Sequence, residues 1–519
     1  MAPSKSSLAT ALAIVLAVIS AVPSHAQAPP LAKLLIVPAT TTEAFNSYDN
    51  DFILPGPILN KYLNRNGSTN ESDTGAAEES ILNWADFLNI QGPWTVMNKT
   101  VSPPSGDKHD YMSWAPYWWP NCTGVGNTTA LTPEQIWVTC PYYNLDGQFN
   151  PDVRDVNDTG AFDAMSDAVF YNALSFVISG NTTYAQQAVT QINTWFLDED
   201  TAMNPNLNYG QIIRGPNNAG GTHTGILDLK CMAKVVSGIL LLRGANSTDY
   251  TDEVDSGMAV WAGNQASWLQ TAAIAVQESE QANNHGTYYY NQLAALQILV
   301  GNSTEAENTT TTYFGEQYLN QISANGEQAS QDTVIRSMVF KLINSDIQPF
   351  EAVRTRPYHY RCYNLAAMIT VARMAEYVGL DSFWNKTTTA GATIQTALDF
   401  TMTVPPGDDI ANEIYPCVAD VAAQYGDPDG KYAAFLANGS STYPAQPFFL
   451  WDQPLSDSNL AIANLTSTSS AGAAFVTAAG SIDAAKGTGN YSQFHGSRNF
   501  AHGSLPAAWH RCSGPEGPG

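Results

Sequence analysis

Four clusters hold the residues whose types and spacing could do chemistry. In "KHDYMSWAPYWWPN", Lys108, His109, Asp110 and Tyr111 precede Trp114, Tyr117, Trp118 and Trp119. Aromatic faces stack on the apolar faces of sugar rings while polar groups between them hold hydroxyls. An aromatic loop buried on the body would draw on the same residues. In "NPNLNYGQIIRGPNNAGGTHTGILDLK", Asn208, Tyr209, Gln211, Arg214 and His223 lie in a glycine-rich loop before a helix, a common setting for ligand contacts. Asn and Gly in plain turn conformations would give a similar loop. Arg214 is the favoured substrate contact there.

The third cluster, "EQANNHGTYYYNQLAAL", puts Asn284 and His285 at the start of an apolar helical pattern that includes Tyr288 and Tyr289. A helix N-terminus favours an anion and lowers the pKa of a nearby histidine, leaving a neutral imidazole able to accept a proton. Asn283 or Asn284 could equally serve only as the helix cap. The fourth, "EAVRTRPYHYRCYNLAAM", packs Arg354, Arg356 and Arg361 among Tyr358, His359, Tyr360 and Tyr363. In so acidic a chain such a cluster suits a carboxylate, which guanidinium grips bidentately. A solvated basic face or ion pairs to Glu351 is the structural alternative.

Asn, His, Arg and Tyr without a Cys–His array or a phosphate loop suit β-elimination from a uronic acid sugar. The proton at C5, α to the carboxylate, is poorly acidic while that carboxylate keeps its charge. Asn and Arg donors would stabilise the enolate-like charge that develops. A Tyr or His would remove the proton, and a Tyr could protonate the departing O4. No metal and no cofactor is expected.

The net charge of −25, from 47 acidic and 22 basic residues, argues against nucleic acid or an anionic membrane as partner. An anionic substrate must therefore be met by a local basic cluster. Residues 1–26, with Lys5, an apolar run from Leu8 to Val22 and then "SHAQA", form a secretory signal. No later segment has the 18 or more uninterrupted apolar residues of a membrane span. Fourteen Asn-x-Ser/Thr sequons fit a secreted, extracellular glycoprotein, expected to be a monomer. The six cysteines are expected to be paired: Cys122 and Cys140 bound a short loop that a disulfide could close, while Cys231, Cys362, Cys417 and Cys512 cannot be paired from spacing.

These clusters must be positioned by helices. Phe162, Met165, Val169, Ala173 and Phe176 recur at helical spacing before Gly180. So do Ile226, Leu229, Ala233, Val236 and Leu240; Tyr289, Leu293, Leu296 and Val300 before Gly301; and Leu365, Met368, Ala372 and Ala375 before Gly379. Alternating strands are scarce. An all-α body of antiparallel helical hairpins is expected over 27–455, with long loops near 101–160 and 200–224 carrying the chemistry. A Ser/Ala-rich extension follows over 456–519, partly packed on the body and disordered at its end.

"DYMSWAPYWWPN", "PYYNLDGQFNPD", "MNPNLNYGQII", "NNHGTYYYNQLAAL" and "RTRPYHYRCYNLAAM" occur in order between Asp110 and Met368, within a resemblance that covers roughly residues 80–400. In these the chain resembles the alginate-lyase-like superfamily of polysaccharide lyases. The resemblance implies an incomplete (α/α) toroid with a substrate cleft across one face, and a catalytic set of Asn284, His285, Arg354 and Tyr360. Asn284 and Arg354 would neutralise the substrate carboxylate. Tyr360 would be the acid, and also the base when proton and leaving group lie on one side; His285 would be the base when they do not. Lys108, His109, Tyr111, Trp114, Trp118, Asn208, Tyr209, Arg214, His223, Tyr288, His359 and Arg361 are the candidate contacts to an acidic polysaccharide. Two segments depart from the pattern: the long Gly-rich stretch carrying His223, and Arg361–Cys362 after the tyrosine. Two other functions remain open. A hydrolase on a similar toroid would need a carboxylate pair, for which Asp110, Asp163 and Asp228 are available. A non-catalytic carbohydrate-binding protein would use the Trp-rich loop alone.

Overall fold

Two kinds of helix arise from this sequence, and their burial separates them into two layers. Asp158–Ser179 (α1), Met232–Gly244 (α3), Asn284–Leu299 (α6) and Pro357–Tyr377 (α8) are buried on nearly every face. A helix of that kind has no face to give to water. Every residue of α6 is buried, as is each one from Met232 to Leu242 in α3. Thr182–Ile192 (α2), Asp252–Thr271 (α4) and Ser303–Gly315 (α7) each bury one stripe instead. In α4 that stripe is Met258, Trp261, Ala262, Gln265, Ala266 and Leu269, the 3-and-4 spacing of an amphipathic helix.

The computed structural model describes residues 52–63, 74–126, 131–328, 350–439 and 443–452. All of these belong to one unit, Val37–Gly519. The signal segment and the C-terminal extension inferred from the sequence lie outside the described residues. Among the described residues no helix is long and apolar enough to cross a membrane.

The inner helices pack in the order α1–α3–α6–α8, with α2 against α1, α4 against α6, and α7 against both α6 and α8. The neighbouring pairs α1–α3 and α6–α8 each run parallel. Lys234 Nζ lies 2.8 Å from Asp167, and Gly238, one turn further on, sits against Val169. Between α6 and α8, Thr287 Oγ1 donates to Asn364 at 3.0 Å and Asn291 Nδ2 to the Ala367 carbonyl at 3.2 Å. Partners that climb together in number define parallel axes, so the N-termini of α6 and α8 share one end. Each outer helix carries the chain back. This is the helical-hairpin plan of an incomplete (α/α) toroid.

The helix stops fall where the sequence puts them: Gly180, Gly301 and Gly379 all have positive φ, at 70°, 77° and 94°. The helix expected from Ile226 begins later. His223–Leu229 is a 3-10 turn, and α3 starts only at Met232. Asp228 explains the difference, because it accepts hydrogen bonds from Tyr111 Oη (3.1 Å), Gln211 Nε2 (2.8 Å) and Ser113 Oγ and so ties the turn to the loops. Those loops hold the few strands. Met112–Trp114 (β1) pairs in parallel with Tyr209–Ile212 (β4), and Trp118–Pro120 (β2) pairs antiparallel with Tyr142–Asn144 (β3). The Cys122–Cys140 disulfide closes the β2–β3 excursion. Cys362 and Cys417 are buried thiols rather than oxidised cysteines, which corrects the expectation that all six are paired. Cys417 Sγ lies 4.0 Å from the Cys362 carbonyl oxygen.

Arg373 of α8 anchors the far end by binding Asp420 and, at 2.5 Å, Asp452. All three side chains are buried, so removing the cation takes the counter-charge from a buried acidic pair. Arg373→Ala is expected to cost about 3–5 kcal/mol of stability, measurable as a lower denaturation midpoint in urea.

Candidate active site

The shared end of α6 and α8 brings the third and fourth sequence clusters together. Arg354 follows a 3-10 turn, Glu351–Val353, and Pro357 opens α8 at a position where its missing N–H is not needed. Tyr360 therefore stands in the first turn of α8. Arg354 Nη2 donates to the Tyr360 hydroxyl at 2.7 Å, and its guanidinium carbon lies 3.7 Å from the centre of the Tyr360 ring. Asp146 holds the same guanidinium through Nη2 at 2.8 Å and Nε at 3.3 Å. Tyr117 Oη is 2.9 Å from Tyr360 Oη. Burial, then the nearby Tyr360, pushes the Tyr117 hydroxyl well above its ordinary pKa, so it keeps its proton and can donate to Tyr360. Arg354 Nη1 is buried with no hydrogen-bond partner among the described residues, a donor left over for a ligand.

The start of α6 is built with equal definition. Asn283 is the cap, accepting from the His285 amide at 3.2 Å. Asn284 is not the cap: its backbone N–H and Nδ2 both donate to Glu351 Oε1, at 2.8 and 2.9 Å. Gly286 explains the glycine of "NNHG", since a Cβ there would lie 2.0 Å from the Gln281 carbonyl oxygen. His285 Nδ1 is 2.7 Å from Glu278 Oε1, and His223 Nδ1 is 2.5 Å from the other oxygen of the same carboxylate. Glu278, on the short helix Ala273–Ser279 (α5), is completely buried. Burial opposes its charge, but the two histidines outweigh that and hold it below the ordinary carboxyl range.

His223, Glu278 and His285 are also a set whose ligand atoms lie within 4.8 Å of one another. Around a tetrahedral zinc, ligand atoms at about 2.0–2.2 Å from the ion stand roughly 3.3 Å apart. Separations of 2.5 and 2.7 Å are those of hydrogen bonds.

Glu351 titrates differently from Glu278. Burial raises it to about 7, with the Asn284 hydrogen bonds only partly opposing. Asp158 and Asp163 are likewise raised, to about 7 and about 6, first by burial. A folded-state pKa above the unfolded one means that the native state holds protons the unfolded chain releases, so stability falls as pH rises through that window. Thermal midpoints are therefore expected to drop between the ordinary carboxyl value of 4.5 and about 7. Glu351→Gln, whose amide oxygen can still accept from Asn284, should flatten that drop.

The other sequence-derived candidates divide by environment. Tyr111 and Tyr288 are core residues, the latter donating to the Tyr363 carbonyl at 3.0 Å. Trp114 is buried under Arg214, whose guanidinium lies 4.2 Å from its ring and is bound bidentately by Asp152 at 2.7 Å. Trp118 is half-buried in β2. Lys108 is exposed, while His109 Nδ1 is 2.6 Å from the Ala202 carbonyl oxygen. Asn208 is exposed and accepts from Trp268 at 3.1 Å, and Tyr209 is half-buried in β4. His359 Nδ1 is 2.8 Å from Glu413. Glu327 grips Arg361 bidentately at 2.7 Å, so the extra arginine after the tyrosine has its own counter-ion. The Gly-rich departure is a packing device in part: a Cβ on Gly225 would lie 2.4 Å from the Gly210 carbonyl oxygen.

The acids behind these groups are not legible in the sequence. Glu278 lies seven residues before His285, and Asp146 lies within "YNLDG"; neither carries a local pattern that announces its partner. Glu351 was visible, but as an ion-pair partner for the arginines rather than as the acceptor for Asn284. For the hydrolase alternative, Asp163 and Asp228 are fully enclosed and Asp110 accepts from Asn204 and Asn206.

Arg354 and Tyr360 thus form a buried pair at the end of the two-layer helical toroid where α6 begins with Asn284 and His285. The alginate lyase family model matches residues 95–407, more than half of the chain, and the protein belongs to that family. A crystal structure of an alginate lyase from Bacteroides ovatus is similar at a TM-score of 0.63 and 29% identity, covering 79% of this chain and 99% of that one. No curated protein matches the chain.

Proposed function

We propose that the protein is a secreted lyase that cleaves a 1,4-linked polyuronate, alginate or β-1,4-glucuronan, by β-elimination, leaving 4,5-unsaturated uronate ends. The body over 27–455 is its catalytic domain, acting as a monomer and without a cofactor. The observation that carries this reading is the Arg354–Tyr360–Tyr117 cluster, in which a buried guanidinium and a phenol both touch the Tyr360 oxygen. Charge on that oxygen is stabilised by both donors, as a tyrosine acting as base requires. A tyrosine that has taken the C5 proton can hand it to the departing O4.

Arg354 Nη1, the unused donor, points to the second role of this arginine: binding the substrate carboxylate and the enolate-like charge that grows on it. Asn284 shares that task, and His285 serves either as a further donor to the carboxylate or as the base for a uronate whose C5 proton lies on the other side. The half-buried Trp118 and Tyr209 offer aromatic surface to flanking sugars. Family membership and the similarity to the Bacteroides ovatus alginate lyase support the reading.

Incubating the purified protein with alginate, its mannuronate- and guluronate-rich fractions, and glucuronan tests it. Ultraviolet absorbance from a C4–C5 double bond should grow with at least one polymer. No absorbance with any of them would end the lyase reading.

A further inference from the structure

Glu278 has no part in the chemistry of Arg354, Tyr360 and Tyr117, yet it is, like Glu351, fully enclosed at the site. We propose, building on the lyase reading, that Glu278 is a positioning residue that fixes the tautomer of two imidazoles at once, so that His285 and His223 both present Nε2 as their working edge. Each carboxylate oxygen is taken by a different ring: Oε1 by His285 Nδ1 at 2.7 Å and Oε2 by His223 Nδ1 at 2.5 Å. An ionised carboxylate only accepts hydrogen bonds, so both Nδ1 atoms must carry hydrogen. In the neutral imidazole the lone pair then resides on Nε2.

The scaffold gives this arrangement little freedom. Glu278 is on α5, His285 is fixed at the start of α6 by the Asn283 cap and the Gly286 contact, and His223 opens the 3-10 turn that Asp228 ties down. The two rings lie 6.4 Å apart at 52°, so they are not stacked, and each turns its Nδ1 to one shared anion. When His285 Nε2 takes a proton, or holds one against the substrate carboxylate, the charge behind Nδ1 stabilises the imidazolium, as the carboxylate does in a Ser-His-Asp triad. His223 thus belongs to the proton-transfer apparatus through Glu278, a different role from contact with a sugar.

Glu278→Gln separates this from simple packing. The amide offers one acceptor and one donor, so it can satisfy only one Nδ1–H; the other ring must turn its Nδ1 lone pair inward and carry its proton on Nε2. Nitrogen NMR of histidine-labelled protein without substrate, assigned with His285→Ala and His223→Ala, should show the Nδ1–H tautomer for both neutral rings in the wild type. In Glu278→Gln one ring should switch to Nε2–H, with kcat on the best uronan down by about 10²–10⁴ and KM changed far less. An Nε2–H tautomer for either wild-type ring would overturn the proposal, even if Glu278→Gln did not fold. So would a divalent ion that copurifies with the protein and whose chelation shifts both histidine signals. Correct tautomers in a protein inert on every uronan would uphold the positioning role and reject the lyase reading, so the two fail separately.

Discussion

Tyr360→Phe is expected to abolish most of the turnover, a fall of about 10⁴, the upper end of what a general acid–base group contributes. The size follows from the double duty of one oxygen as proton acceptor and then as donor to O4. KM should move little, because the ring, and with it the stacking under Arg354 at 3.7 Å, remains. Stability should also hold, since Arg354 keeps both of its bonds to Asp146. Initial rates of unsaturated-end formation, with a melting curve of the same preparation, check both halves. A variant that folds and turns over normally would reduce Tyr360 to packing and remove the proposed chemistry with it.

Arg354→Lys is expected to cost about 10²–10³ in kcat, the range for losing one preorganised donor at a developing charge. Lysine preserves the charge but not the fork. One ammonium can stay with Asp146 or reach Tyr360, whereas guanidinium serves both and still aims Nη1 elsewhere. The measurement is kcat and KM on the preferred uronan, with an equal loss in kcat and kcat/KM marking an interaction made in the transition state. Loss confined to KM would make Arg354 a ground-state anchor only.

Much of the fold was legible because inner-layer helices announce themselves. Apolar and small residues at helical spacing, ended by Gly180, Gly301 and Gly379, give α1, α6 and α8 nearly to their last turns. The parallel alignment of α6 with α8 was not legible. It depends on pairs such as Thr287 with Asn364, far apart in the chain and unremarkable in composition. The site shows the same division. Residue types that do chemistry are rare enough to see, so the Asn284–His285 and Arg354–Tyr360 clusters stand out in a chain with 8 histidines and 22 basic residues. The acids that hold them are hidden among 47 acidic residues, and only three dimensions show that Glu278, Glu351 and Asp146 are the relevant ones. His223 was seen for its loop and not for its partner, because Glu278 is 55 residues away.

Cleavage of the preferred uronan in water enriched in heavy oxygen, followed by mass spectrometry of the new chain ends, tests the central claim most directly. Elimination breaks the C4–O4 bond without consuming water, so each cleavage should give one unsaturated non-reducing end and one reducing end that keeps O4, with no heavy oxygen in either when the products are read before the reducing end exchanges with water. One labelled oxygen per cleavage, with saturated ends, would mean hydrolysis and would contradict the proposed function.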